Sequence, residues 1–214
     1  MRCTFTRADS RSQKSNDFDT IELVGMPDRS EHLVARIREA NALRTPLRIT
    51  GGDTKHFLGR QPRGEQVDFS GHTGILSYEP TELVLTVRAG TTIAETQAVL
   101  NESGQCLAFE PPEYGSVATI GGTIASGLSG PCRPYRGSVR DFVLGVTCVN
   151  GRGESLRFGG QVMKNVAGYD VSRLMVGAMG TLGAILDASF KVLPMPETEQ
   201  TRVYEASEEM AIAK

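Results

Sequence analysis

Glycine placement constrains this chain more than any other feature. Its 24 glycines gather at 51–52, 121–122, 127–130, 151–153, 159–160 and 177–183, so they punctuate defined places and form no low-complexity tract. The first cluster lies in "RITGGDTKHF" (Arg48–Phe57), where two glycines leave an apolar stretch and polar side chains follow. A turn that only closes a hairpin rarely needs so many hydrogen-bonding groups. Successive backbone N–H groups in such a loop form an anion-binding nest, with a diphosphate as a natural occupant. Glycine also lets backbone approach phosphate oxygens with no Cβ in the way. The N–H groups of Gly51, Gly52, Asp53, Thr54, Lys55 and His56 fit that role, with Thr54 and Lys55 adding side-chain donors. An ordinary turn accounts for this stretch equally well. It lacks the G-x-x-x-x-G-K-S/T of a nucleotide triphosphatase, and no strand is followed by G-x-G-x-x-G.

A second stretch, "EPPEYGSVATIGGTIASGLSG" (Glu110–Gly130), brings paired prolines and then a glycine-rich turn into a short helix of small residues, Thr123 to Ser126. Small side chains let helix and loop lie directly against a flat ligand. Close packing of two helices explains Gly and Ala there, but not the joint arrival of Pro111-Pro112, Thr119 and Gly121-Gly122.

The elements around these stretches divide the chain into two lobes. "IELVG" (Ile21–Gly25) reads as a strand. Asp28 with Glu31 predicts a capping box for a helix whose apolar face is Leu33, Val34, Ile37 and Ala40. Strands follow at Leu47–Ile49, Val67–Phe69 and Ile75–Leu76, giving a small, partly parallel lobe over about 20–77. A second lobe, about 78–196, begins with the strand "ELVLTVRAG", and Thr92 with Glu95 predicts a capped helix ending at Ser103, with Gly104 beyond it. Asn150-Gly151 between two apolar runs predicts a tight hairpin, and Asp170 caps a short helix to Met175. Ala184, Leu186, Ala188, Phe190 and Val192 alternate with Ile185, Asp187, Ser189 and Lys191, the pattern of a half-buried antiparallel strand. Residues 1–19 read as a polar tail, and 197–214 as the start of a C-terminal region cut short.

Composition closes off other classes. A net charge of −2 argues against general nucleic-acid affinity. No apolar run approaches the roughly 20 residues that span a bilayer. Cys3, Cys106, Cys132 and Cys148 are scattered, and His32, His56 and His72 show no metal-ligand spacing, so neither a zinc site nor a disulfide framework is expected. Reduced thiols suit a cytoplasmic protein.

The order "RITGGDTKHF", "EPPEYGSVATIGGTIASGLSG", "RGSVRDFVLGV", "GGQVMKNVAGYDVSRLMVGAMGTLGAI" resembles the FAD-binding domain of the vanillyl-alcohol oxidase/PCMH flavoprotein superfamily, over Thr45–Pro194. Within it the chain is most similar to the FAD-binding subunits of bacterial glycolate oxidases. The resemblance implies an α+β, two-lobed PCMH-type domain: a small mixed βαβ lobe, and a larger antiparallel-sheet lobe with helices. FAD would lie extended between them. By position, Gly51 to Lys55 would form the diphosphate loop. Pro112, Thr119, Ile120, Gly121, Gly122 and Ser126 would line flavin and diphosphate. Gly137 would lie close to the cofactor, and Ile185 would meet the adenosine half through its backbone. Lys164 and Asp170 flank a segment with a holding or a contact role. Where relatives with a histidyl-linked flavin carry the linking histidine, this chain has Asp53, so FAD is expected to be non-covalent.

The implied reaction is hydride transfer from a small 2-hydroxy acid, glycolate above all, to flavin. A second flavin subunit and an iron–sulfur subunit would be the partners, with peripheral membrane association through them as an alternative to a free cytoplasmic state. No catalytic residue is assigned, because the family's cap domain, which supplies the substrate-side Arg and His, has no counterpart in these 214 residues; the chain alone is expected to be inactive. His56 and His72 lie near the loop in sequence but are more simply structural. The rival readings are a non-catalytic FAD-binding or assembly module and a different FAD-linked dehydrogenase on the same scaffold.

Overall fold

The computed structural model describes residues 28–160, 168–201, 203, 205 and 207–212. The strand expected at Ile21–Gly25, the 1–19 tail and Lys164 lie outside the described residues.

The small lobe has helix α1 (Ser30–Leu43) and strands β1 (Leu47–Thr50) and β2 (Glu65–Asp68), which pair in parallel from Leu47 opposite Glu65 to Thr50 opposite Asp68. The expected apolar face of α1 turns inward, burying Leu33, Ile37 and Ala40, and the helix stops at Arg44 in a left-handed conformation. Its N-terminus differs from the sequence expectation. Arg29 is the cap residue and makes no side-chain cap bond. Asp28 accepts the Ser30 N–H at 2.9 Å and spends its other oxygen on Arg88 of the large lobe, 3.2 Å away. The capping box is forgone for a lobe-to-lobe ion pair.

In the large lobe the order is β3 (Ile75–Glu79), β4 (Val84–Arg88), α2 (Ile93–Glu102), β5 (Gln105–Cys106), α3 (Ile120–Ser126), α4 (Arg133–Arg136), α5 (Val139–Phe142), β6 (Val143–Val149), β7 (Ser155–Gly159), α6 (Val171–Met175), β8 (Ala184–Lys191) and β9 (Leu193–Pro194). The main sheet runs β3-β4-β8-β6-β7, antiparallel throughout. Since β3 pairs with β4, the lobe boundary falls before Ile75 and not at Tyr78 as the sequence suggests. The Thr92–Glu95 capping box forms, and Gly104 follows α2 at φ 63°. Asp170 caps α6 by accepting the Arg173 N–H. The β6–β7 hairpin forms with a wider turn than Asn150-Gly151 predicts. Asn150 Oδ1 accepts from Arg152 and Glu154, and Gly153 takes the positive φ.

Strand β8 departs most from simple alternation. Between β6 and β8 the register slips, with Thr147 opposite Asp187 but Cys148 opposite Ile185. This bulge turns Ile185 to the same side as Ala188 and Phe190, into the main core with Leu85, Ile93, Phe109, Ile120 and Ile124. Ala184 and Leu186 instead join Leu33, Ile37, Val67 and Phe69 in a second core between the lobes. Phe190 stacks on Phe109 with centroids 5.9 Å apart.

His72 sits at this lobe junction with 1% of its surface exposed. Its Nδ1 accepts the Arg29 N–H at 3.2 Å, which requires a neutral ring protonated on Nε2. Burial, helped by Arg88 and opposed by Asp28, holds its pKa below the ordinary value. As pH falls below about 6.5, the unfolded chain takes up a proton that the folded chain resists. This contribution to stability is therefore full above that pH and is lost as pH falls. We expect the urea midpoint to drop between about pH 6.5 and pH 5, and His72→Gln to flatten that slope; an equal slope in the variant would assign it elsewhere.

Candidate functional site

Between the lobes lies a cavity of about 430 Å³, a size typical of small-molecule sites. The loop after β1 forms one wall. Residues along α3 and its cap (Thr119, Gly121, Gly122, Ala125, Ser126) face it, and Met179–Thr181 with Gly183–Ile185 add to the lining. Gly180 lies close to β1, so a Cβ there would come within 3.3 Å of Ile49 Cδ1.

The backbone donors of the loop are free. Among the described residues, no N–H from Gly51 to Lys55 is donated to a protein acceptor. All five residues line the cavity, and Asp53 holds a left-handed φ of 50° within the run. Consecutive unpaired donors around such a residue make a concave anion nest. Lys55 adds a cation to the wall. Burial pushes its ammonium below the usual pKa, and Glu113 partly restores it. Arg48 is already engaged, with Asp53 at 3.6 Å and Gln66 at 2.7 Å.

The facing helix contributes differently. Its first N–H groups have protein partners: Ile120 donates to Thr91 O, Gly121 to Ala89 O, Gly122 to the Thr119 side chain and Thr123 to Thr119 O. So α3 offers a flat surface of small side chains, with its first backbone N–H groups already taken up within the protein. The reason for the glycines shifts accordingly. A Cβ on Gly52 would sit 1.7 Å from the Val117 carbonyl oxygen, and one on Gly51 2.5 Å from Thr119 Oγ1. The first pair is needed for the loop to lie against the opposite lobe. Gly121 lies on Ala89, whereas a Cβ on Gly122 would meet only Thr119 Oγ1, at 3.2 Å.

Most residues singled out from sequence thus converge on one cavity: Gly51 to Lys55, Thr119, Gly121, Gly122, Ser126 and Ile185. Pro112, Ile120 and Gly137 stand outside its lining. The Ile120 side chain is fully buried in the main core. Gly137 ends α4 at φ 102°, with Asp141 Oδ2 3.2 Å from where its Cβ would be. Of the histidines, His56 lines the cavity with its Nδ1 2.9 Å from Asp53 O, while His72 is buried at the lobe junction. Sequence reading missed Arg60 and Met179–Thr181 as lining. Arg60 follows the recognised loop without any motif, though the 177–183 glycine cluster does mark the second segment.

This is the arrangement of a flavin-nucleotide-binding protein, and comparison with known proteins agrees. The FAD binding domain family matches residues 21–159, and the chain belongs to that family. It is 50% identical over 187 residues to the glycolate oxidase subunit GlcE of Escherichia coli K12, covering 87% of this chain and 53% of that protein. It is 35% identical over 162 residues to the glycolate oxidase subunit GlcD of Bacillus subtilis, covering 74% and 34%. A D-2-hydroxyglutarate dehydrogenase of Xanthomonas citri is 30% identical over 175 residues, 81% of this chain and 37% of that one. The chain therefore spans about half the length of the first relative and about a third of the other two. An alkyldihydroxyacetonephosphate synthase structure superposes with a TM-score of 0.66 at 21% identity, over 81% of this chain and 32% of that chain, which establishes the shared fold.

The two glycine pairs separate experimentally. Gly52→Ala forces the loop off Val117 and should cost the apoprotein about 2–4 kcal/mol in urea unfolding. Gly122→Ala, whose Cβ would meet Thr119 Oγ1 at 3.2 Å and nothing else within 4 Å, should change stability by less than about 1 kcal/mol. Equal effects would show that the packing roles are misassigned.

Proposed function

We propose that this chain is the FAD-binding part of an oxidoreductase that oxidises a small 2-hydroxy acid, with glycolate as the first substrate to try. The observation that carries the cofactor reading is the run of unpaired N–H groups from Gly51 to Lys55 along the cavity wall, which fits a diphosphate. The substrate class follows the names of the relatives, glycolate oxidase subunits and a 2-hydroxy-acid dehydrogenase.

When bound, FAD supplies the centre that accepts the substrate's α-hydrogen as hydride. The residues of this chain bind and orient. The nest and Lys55 would hold the diphosphate, and Gly121, Gly122 and Ser126 would let α3 lie flat against the bound group. Ile185, at the end of the 183–185 segment of the lining, would contribute to holding the nucleotide part. Asp53 takes the place of a linking histidine, so attachment rests on hydrogen bonds and burial.

His56 is held to its own turn, and we assign no acid–base residue here. The chain by itself should turn over glycolate negligibly, since general acid–base help is worth about 10²–10⁴-fold. Its partners in this reading are a second flavin subunit and an iron–sulfur subunit. No helix among the described residues is long and apolar enough to cross a membrane. A cytoplasmic protein, reaching the membrane through its partners, is the corresponding proposal.

Titration of the apoprotein tests the cofactor directly. FAD should bind at least about tenfold more tightly than FMN, a difference of about 1.4 kcal/mol, and acid precipitation should leave all the yellow colour in the supernatant. Equal affinities would overturn the dinucleotide reading, and a yellow pellet the non-covalent one.

A further inference from the structure

The nest is built on one lobe but shaped by the other. Residues 51–57 lie along residues 113–119, and among the described residues no hydrogen bond joins the two stretches. What holds them is contact. Gly52 sits under the Val117 carbonyl, and Thr54 Cγ2 lies 3.6 Å from where a Gly115 Cβ would be. Beyond these, Phe57 meets Tyr114 edge to face, with ring centroids 5.0 Å apart at 80°. The Lys55 ammonium lies 5.9 Å from the Tyr114 ring centroid.

The two rings are placed unusually for packing residues. Phe57 is 54% exposed and Tyr114 51%, neither belongs to a core cluster, and neither lines the cavity. Lys55 does line it, so the cation reaches from the cavity wall to the ring outside. Neither ring belongs to a core, so removing one leaves both cores intact.

We infer that Tyr114 and Phe57 are positioning residues. They form an external aromatic clasp that fixes the Gly51–Lys55 donors and the Lys55 ammonium against the cavity, and so set how tightly the site keeps a diphosphate-bearing ligand. The assignment rests on the FAD reading above. It places affinity control on side chains that do not line the cavity.

The test uses the purified chain with Tyr114→Ala, Phe57→Ala, the double variant and Tyr114→Phe. The readouts are the FAD dissociation constant and the apoprotein Tm. Each alanine variant should weaken FAD binding by about 3–10-fold, the range an aromatic or cation–π contact supplies. The double variant should fall short of the product of the two, because both rings belong to one contact. Tyr114→Phe keeps the ring and should bind within about twofold of wild type. Apoprotein Tm values should stay within about 4 °C of one another, the shift a contact of this size makes in a chain of about 200 residues. Alanine variants that bind FAD like wild type would overturn the clasp and leave the flavin reading standing. So would a fall in apoprotein Tm beyond that range, which would make the rings merely structural. A wild-type chain that binds no FAD would overturn both.

Discussion

Everything at the site depends on how closely the loop after β1 lies against the Val117–Thr119 segment. The Val117 carbonyl occupies the space where residue 52 would carry a side chain, and Thr119 Oγ1 does the same for residue 51. That approach closes one side of the cavity, and among the described residues the N–H groups of residues 51–55 have no protein partner. These residues are half-buried or exposed, so water can satisfy the donors until a ligand takes its place.

The division of labour across the cavity follows from where the hydrogen bonds go. On the large lobe, Thr91, Ala89 and Thr119 absorb the first N–H groups of α3, leaving a surface of small side chains. On the small lobe the donors remain. Polar recognition and flat contact therefore come from opposite walls, as suits a ligand with a charged middle and a planar end.

How much of this was legible in sequence depends on the range of the interactions. The Thr92–Glu95 box and the Asp170 cap are local, and both formed as written. Asp28–Glu31 carries the same local signal, yet Arg88, distant in sequence, draws Asp28 away. The glycine clusters found the cavity, but the reason for Gly52 is a carbonyl contributed by residue 117, which no local pattern announces. Likewise Ile120 sits within the recognised motif while its side chain serves the core. The bulge in β8 was hidden because Asp187, Ser189 and Lys191 alternate as in an unbroken strand, and the apolar Ile185 between Ala184 and Leu186 does not say which way it faces. Only the pairing with β6 shows that Ile185 and Leu186 face different cores.

That bulge joins two things usually kept apart. Adjacent residues of one strand form the back wall of the cavity (Ala184, Ile185) and the seam between the lobes (Leu186). Phe69 and Ala184 belong to both the cavity lining and the seam core. A ligand filling the cavity would therefore bear on the seam directly, and occupancy and lobe docking would form one cooperative unit.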